Sequence, residues 1–222
     1  MKKKTQILIV DDHPVVIDGV KKNLELEEDF VVIANCISLH DAKEVFLKQK
    51  IDCAIIDLNF KGETSGLQLV EFIKKNYPQT KCIIFSMFDE RIHAKRALIA
   101  GASGYVMKQN STDILIEAIR KVQSGSYYFS DEVTINVFAS AAGHDSSEFG
   151  YNLTPKEFEI FRFIGQGKTS REIGKLLNIS PKTVESHKNK LKDKIGCSNP
   201  TELISLAIEY MKEDYITKKS SN

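Results

Sequence analysis

The sequence predicts a doubly wound α/β domain, built on a five-stranded parallel sheet, followed by an all-α domain of four helices. In the first 125 residues, short runs rich in isoleucine and valine alternate with stretches whose apolar residues recur at helical spacing. Such short apolar runs are typical of strands buried on both faces of a parallel sheet. After residue 152 only the helical spacing remains. We therefore expect domains at 1–127 and 153–213, a linker at 128–152 in which residues 130–142 can form a short helix, and a flexible tail at 214–222.

Turn residues separate the elements of the first domain, for example at Tyr77–Pro78 and Gly101. Repeated strand–helix units of this length imply a parallel sheet covered by helices on both faces, with functional sites at the carboxyl ends of the strands. The strands are expected at Ile7–Val10, Phe30–Ala34, Cys53–Ile56, Cys82–Phe85 and Tyr105–Met107. The helices are expected at Val15–Leu26, Leu39–Gln49, Leu67–Asn76, Arg91–Ala100 and Thr112–Ser124.

Capping residues mark helices of the second domain. Thr154, Pro155 and Glu157 have the spacing of a capping box with proline at the first helical position. Ser180 and Pro181 begin a further helix in the same manner. A short helix, a tight turn and this second helix together predict a helix-turn-helix.

The charge of the chain is divided unevenly between its two parts. Residues 1–150 contain 18 Lys and Arg against 21 Asp and Glu, a net charge of −3. Residues 151–222 contain 13 against 9, a net charge of +4. A basic second part favours an anionic partner.

The sequence favours neither export nor membrane insertion. The apolar run behind the basic N-terminus is too short for a signal peptide core, and no run approaches the ~20 residues of a membrane span. The four cysteines lack metal-ligand spacing and are predicted to be buried free thiols of a reducing compartment. We expect a cytoplasmic protein without a membrane partner.

Three aspartates follow two of the predicted strands. Asp11 and Asp12 end the first strand, and Asp57 follows the third. These strands are neighbours across the switch point of a doubly wound sheet, so the three carboxylates are expected to converge. Crowded carboxylates repel one another, and a hard divalent cation such as Mg²⁺ removes the conflict. The alternative is that each aspartate is a strand-end residue that faces water.

Two further strand ends add a hydroxyl and an ammonium group. Ser86 ends the fourth strand, and Lys108 follows the fifth. Taken alone, Ser86 would be a helix cap and Lys108 a surface lysine. At the rim of a carboxylate cluster, both can contact an anionic group placed between them.

The segments "VDDH", "IIDLN", "FS" and "GASGYVMK" resemble the receiver domain of bacterial two-component response regulators, over about Gln6–Gly125. The resemblance implies a flavodoxin-like fold in which Asp57 accepts a phosphoryl group from a sensor histidine kinase. It also implies that Asp11, Asp12, Asp57 and the backbone carbonyl of Asn59 bind Mg²⁺.

The same resemblance assigns roles in the phosphorylated state. Ser86 and Lys108 would bind the phosphoryl oxygens, and Tyr105 would be an aromatic switch that turns inward as Ser86 moves. Such a domain is not an enzyme for other substrates, since it catalyses only its own Mg²⁺-dependent phosphorylation and dephosphorylation. The phosphorylated state differs from the resting state by one added dianion.

The predicted helix at Pro181–Ile195 carries five lysines. A solvated charged face is one interpretation, but the second helix of a helix-turn-helix enters the major groove of DNA. The segment from "LTPKEF" to "KLKDKIG" resembles the LuxR-type DNA-binding domain, over about Leu153–Lys212, and the whole chain resembles a NarL/FixJ-family response regulator. The resemblance implies DNA contacts from Lys182, Thr183, Glu185, Ser186, Lys188, Asn189 and Lys190.

Glu185 departs from the basic residue that is frequent at its position in this family, and a carboxylate favours the amino group of cytosine. For His187, packing at the turn and contact with DNA are equally consistent with the sequence. The resemblance further implies binding to double-stranded promoter DNA, a homodimer that forms on phosphorylation, and RNA polymerase as a further partner.

Two other functions share parts of this pattern. Aspartyl-phosphate phosphatases and ATPases also use a parallel sheet, but their nucleophile follows the first strand in a "DxD" pattern, whereas here adjacent aspartates follow that strand. The chain could also be a constitutive regulator whose first domain only dimerises. The complete set of acidic, hydroxyl and lysine residues argues against that hypothesis.

Overall fold

The structure is a computed structural model that describes residues 3–60, 66–130, 133 and 153–219, except for the side chains of 92 and 212–219. Contacts between residues divide the chain into two compact units, Met1–Ser130 and Asp131–Asn222.

Five parallel strands form the sheet of the first unit. They are β1 (Thr5–Val10), β2 (Phe30–Cys36), β3 (Cys53–Ile56), β4 (Lys81–Ser86) and β5 (Gly104–Met107). Their order in the sheet is β2-β1-β3-β4-β5. The direction of winding therefore reverses between β1 and β3, which makes the sheet doubly wound and confirms the predicted fold class.

Five helices connect and cover the strands. They are α1 (Pro14–Leu24), α2 (Leu39–Lys48), α3 (Gly66–Asn76), α4 (Glu90–Ala100) and α5 (Thr112–Gln123). One face of the sheet packs against α1 and α5, whose apolar residues join Ile7, Ile9 and Ile55 in a single cluster. Every residue of β3 is buried, as expected for a central strand covered on both faces.

The described part of the second unit contains helices α6 (Pro155–Gly165), α7 (Ser170–Leu177), α8 (Pro181–Ile195) and α9 (Pro200–Lys219). The predicted capping box is present at α6, where Thr154 and Glu157 exchange hydrogen bonds. Thr169 and Glu172 form a second capping box at α7, which the sequence analysis did not identify.

The turn between α7 and α8 requires residues that tolerate close backbone approach. Asn178 adopts the left-handed conformation with φ of 53°. A Cβ atom at Gly174 would lie 2.7 Å from the carbonyl oxygen of Ile179. Gly174 and the left-handed Asn178 therefore permit the tight turn that joins the two helices.

Two stretches that were expected outside the two domains take part in regular secondary structure. Residues 214–219, expected in a flexible tail, continue α9 because neither Pro nor Gly interrupts the chain between 200 and 219. Tyr128, expected in the linker, forms an isolated parallel bridge with Gly104 at the edge of β5. The short helix predicted at 130–142 lies, except for 130 and 133, outside the described residues.

Candidate functional site

The carboxyl ends of β1 and β3 bring three aspartates together. The N–H of Asp57 donates to the carbonyl oxygen of Val10 over 2.8 Å, which places the two strand ends side by side. Asp11 is 2% exposed and Asp57 5% exposed. Ligand atoms of Asp11, Asp12, His13 and Asp57 all lie within 4.8 Å of one another. The convergence expected from the sequence is therefore present.

Lys108 lies within this cluster, although it follows β5, which is two strands away from β3 in the sheet. Its Nζ lies 2.6 Å from Oδ2 of Asp11 and 2.8 Å from Oδ2 of Asp57. Its backbone N–H donates to the carbonyl oxygen of Ser86 over 2.7 Å, which joins the ends of β4 and β5. The side chain is only 7% exposed, so the ion pairs are shielded from water.

Some features of the environment of Asp57 raise the pKa of its carboxyl, and others lower it. Burial raises the pKa of the Asp57 carboxyl, while the hydrogen bond and the charge of Lys108 oppose the rise. The carboxylate of Asp11 adds to the rise, and the backbone N–H of Asn59 opposes it. The net pKa is raised, so an additional cation beside Asp57 would stabilise its ionised form.

His13 is a member of the cluster that the sequence analysis did not assign. Its backbone N–H donates to Oδ1 of Asp11 over 2.9 Å, and its Nδ1 lies 2.7 Å from Oδ1 of Asp12. The available signal was its position directly after the acidic doublet. The ring is about half exposed, which places it at the mouth of the site.

Gly66 lies against the backbone of the aspartate at the end of β3. A Cβ atom at this position would lie 1.9 Å from the carbonyl oxygen of Asp57. The N–H of Gly66 donates to the carbonyl oxygen of Leu58 over 2.9 Å. The start of α3 can approach the site this closely only because residue 66 has no side chain.

A cavity of about 280 Å³ opens onto the aspartate cluster. It gives access to Asp57 even though that side chain is almost fully buried. The residues that line the cavity are His13, Val16, Asp57, Asn59, Ser86, Met87, Phe88 and Lys108.

The residues predicted to contact DNA lie on α8 away from its buried side, which is formed by Val184, Leu191 and Ile195. The exposed members are Lys182, Thr183, Glu185, Ser186, Asn189 and Lys190, while Lys188 is half-buried. His187 is also half-buried, and its Nδ1 has no hydrogen-bond partner among the described residues.

Two family models match the chain, one in each of its two units. The family described as "Response regulator receiver domain" matches residues 7–120. The family described as "Bacterial regulatory proteins, luxR family" matches residues 151–207.

The chain is a two-component response regulator of the NarL/FixJ family.

Relatives match this response regulator over nearly its whole length. It is 31% identical to the transcriptional regulatory protein MctR of Rhizobium johnstonii, over 94% of this chain and 95% of the relative. It is 32% identical to the oxygen regulatory protein NreC of Staphylococcus epidermidis, over 92% of this chain and 97% of the relative. The relatives support a transcriptional regulator rather than a phosphatase.

Solved structures of another response regulator have the same fold. The structure of the RcsB–DNA complex matches with a TM-score of 0.70 and 26% identity, over 94% of this chain and 99% of that chain. RcsB of Salmonella enterica serovar Typhimurium, bound to promoter DNA in the presence of the phosphomimetic BeF3⁻, matches with a TM-score of 0.66 and 27% identity, over 92% and 98% of the two chains.

The predicted switch residues of the receiver domain meet at one loop residue, Phe88. The hydroxyl of Tyr105 donates to the carbonyl oxygen of Phe88 over 3.0 Å. The backbone N–H of Phe88 donates to Oγ of Ser86 over 3.2 Å. Tyr105 is 2% exposed and Ser86 is fully buried. In this structure Tyr105 therefore points inward and is linked to Ser86 through Phe88.

Within the described part of this response regulator, no helix combines the length and the apolar character needed to cross a membrane.

Proposed function

We propose that Asp57 accepts a phosphoryl group from a sensor histidine kinase and that the phosphorylated chain binds promoter DNA as a dimer through α8. The observation that carries the first part is the position of Asp57. Its carboxylate lies at the base of an open cavity, 2.8 Å from the ammonium group of Lys108. A buried carboxylate beside a buried cation, reachable from solvent, is suited to attack an electrophilic phosphorus atom.

The donor set fits Mg²⁺. Three carboxylates supply hard oxygen ligands within 4.8 Å of one another, and oxygen ligands are those that Mg²⁺ prefers. Asp11, Asp12 and Asp57 would bind the ion, together with the backbone carbonyl of Asn59 implied by the family resemblance. When bound, Mg²⁺ offsets the negative charge that gathers between the carboxylates and a phosphoryl donor.

The residues of the chain would act by positioning and charge. An oxygen of Asp57 forms a bond to phosphorus as the P–N bond to the kinase histidine breaks. Lys108 donates to a phosphoryl oxygen, since its ammonium group already lies beside the attacking carboxylate. The Ser86 hydroxyl, which lines the same cavity, supplies a second donor. Phosphoryl transfer depends mostly on such contacts. Dephosphorylation at the same site would complete the self-catalysed cycle.

Two observations support DNA binding as the output. The six exposed members of the predicted contact set lie on one helix of a helix-turn-helix, and RcsB, which has the same fold, has been solved bound to DNA. RcsB has also been solved as two dimers bound to two parallel DNAs, which supports a dimer here. A regulator of this kind would work in the cytoplasm, and an activator would also contact RNA polymerase.

The acceptor assignment is tested with acetyl phosphate. Asp57→Asn should abolish Mg²⁺-dependent phosphorylation, read as a shifted band on a phosphate-affinity gel. Asp18→Asn is the matched control because Asp18 is exposed on α1. Persistent Mg²⁺-dependent labelling of the Asp57→Asn protein would refute the assignment.

The DNA-binding assignment is tested by removing two lysines from α8. A Lys182→Ala/Lys190→Ala protein should bind duplex DNA more weakly and with a shallower salt dependence, because fewer counterions are released. Lys48→Ala/Lys75→Ala removes the same charge from exposed sites of the receiver domain and serves as the control. Undiminished binding by the α8 variant would contradict the proposal.

A further inference from the structure

Three polar side chains join the start of α7 to α8. The hydroxyl of Ser170 donates a hydrogen bond to Oε1 of Glu185. Nζ of Lys188 donates to Oγ of Ser170 over 2.6 Å and lies 3.3 Å from the same oxygen of Glu185. One carboxylate therefore engages both a hydroxyl and an ammonium group.

The carboxylate of this triad is more exposed than the ammonium group with which it pairs. The hydrogen bond from Ser170 lowers the pKa of the Glu185 carboxyl, and Lys188 adds to this effect against burial, so the carboxylate is ionised at neutral pH. The side chain of Glu185 is 57% exposed, whereas that of Lys188 is 23% exposed. A carboxylate on the open side thus covers an ammonium group behind it.

The donors that Glu185 engages are those that proteins use for DNA phosphates. Hydroxyl groups and lysines supply many contacts to the DNA backbone, and these contacts carry little sequence information. Lys188 cannot direct its full charge to a phosphate while Glu185 is paired with it. The carboxylate also repels any phosphate that approaches the pair.

We propose that Glu185 occupies, in the DNA-free protein, the donors through which Ser170 and Lys188 would bind a DNA phosphate, and so acts as a specificity-determining residue. This inference rests on the proposed DNA-binding function. On a duplex that offers Glu185 a new partner, Lys188 exchanges the carboxylate for a phosphate. A major-groove amino group, such as N4 of cytosine, can supply that partner. On other sequences Lys188 stays paired with Glu185 and this phosphate contact is missing, so they are bound more weakly.

The test compares binding of the full-length chain to a short duplex of random sequence and to fragments selected from genomic DNA. It is performed with and without Mg²⁺ and beryllofluoride, by fluorescence anisotropy across a salt series. Glu185→Gln removes the charge and keeps the shape of the side chain. We expect it to bind the random duplex about threefold or more tightly at about 100 mM salt, with a salt slope steeper by about 0.9, the value for one added phosphate contact. Affinity for selected fragments should rise less. The ratio of the affinity for selected fragments to the affinity for the random duplex should therefore fall.

Two further variants separate this mechanism from simple repulsion. In a Lys188→Met background, Glu185→Gln should no longer steepen the salt slope, because the lysine that it releases is gone. Glu159→Gln breaks a similar pair on α6, where Lys156 lies 3.4 Å from Glu159, and should leave the salt slope unchanged. Thermal unfolding of each variant tests whether the helices remain folded.

The outcomes are distinct. If the wild-type chain and Glu185→Gln both fail to bind any duplex, the proposed DNA-binding function fails, and this inference fails with it. If the wild-type chain binds and Glu185→Gln has the same affinity and slope, only the role of Glu185 is overturned. A slope that steepens equally with and without Lys188 also overturns it.

Discussion

The ammonium group of Lys108 lies 2.8 Å from the carboxylate of Asp57, although 51 positions separate the two residues in the chain. Lys108 follows β5 and Asp57 follows β3, and β4 lies between those strands. The long lysine side chain crosses the end of β4 to reach the aspartate. This contact joins the proposed acceptor to the strand that carries Tyr105.

Lys108→Met should slow phosphorylation of Asp57 by acetyl phosphate. Removal of a preorganised donor at a reacting group commonly costs about 10²- to 10³-fold in rate. The rate is measured from band shifts on phosphate-affinity gels, with Lys48→Met as the control for an exposed lysine. A rate near that of the wild-type protein would exclude Lys108 from the transfer step.

Gly66→Ala should destabilise the receiver domain. The added Cβ would lie 1.9 Å from a backbone oxygen of Asp57, which can move only if β3 or α3 shifts. We expect a loss of about 1–3 kcal/mol, as for other overpacked sites. Differential scanning calorimetry separates the transitions of the two units and measures the change.

Gly19→Ala is the matched control for Gly66→Ala. Gly19 lies inside α1, and a Cβ atom there would meet nothing within 4 Å. Since glycine weakens a helix interior, alanine should stabilise the domain by about 0.5–1 kcal/mol. Equal effects of the two substitutions would show that close approach at Gly66 is unimportant.

Ser86→Ala and Tyr105→Phe should have non-additive effects on the free energy of unfolding. Both side chains hydrogen-bond to the backbone of Phe88, so loss of one contact loosens the other. Denaturant unfolding of the single and double variants should give a coupling energy of about 0.5 kcal/mol or more.

The control for this coupling pairs Ser86→Ala with Thr80→Val. Thr80 hydrogen-bonds to the carbonyl oxygen of Ile51 at the opposite end of β4. These two effects should add to within about 0.3–0.5 kcal/mol. An additive Ser86–Tyr105 pair would mean that the proposed switch residues are not linked through Phe88.

The stability of the second unit should fall in acid partly through Glu157, which is 4% exposed. Burial opposes ionisation, but Lys194, 2.7 Å away, and the cap residue Thr154 outweigh it and lower the pKa below the ordinary 4.5. A carboxyl whose pKa is lower in the folded state stabilises the fold above the unfolded value, and this contribution is lost as pH falls through the folded pKa.

Glu157→Gln should therefore cost about 1.5–3 kcal/mol at neutral pH, the range for hydrogen bonds to charged groups. The difference from the wild-type protein should shrink below pH 4.5. Glu172→Gln is the control, since Glu172 occupies the same place in the second capping box but is exposed. Its effect should be smaller. A pH-independent difference for Glu157 would contradict the ion-pair explanation.

The sequence was most informative where local rules act alone. The observed bounds of β3 match the predicted Cys53–Ile56, because a short apolar run between turns has few alternatives. The start of α6 was predicted from Thr154 and Pro155, which act within one turn of helix. Residues 214–219, expected in the flexible tail, lie in α9, which no Pro or Gly interrupts after Pro200.

The sequence by itself determined the doubly wound sheet, the helix-turn-helix and the convergence of Asp11, Asp12 and Asp57, because periodicity fixes the elements and strand order fixes which ends meet. Only the tertiary structure showed that His13 joins the cluster and that Glu185 is paired with Ser170 and Lys188. These contacts depend on side-chain directions and on distances of a few ångströms between separate elements. Residue spacing along a chain does not specify such distances, because they are set by how the packed elements approach one another.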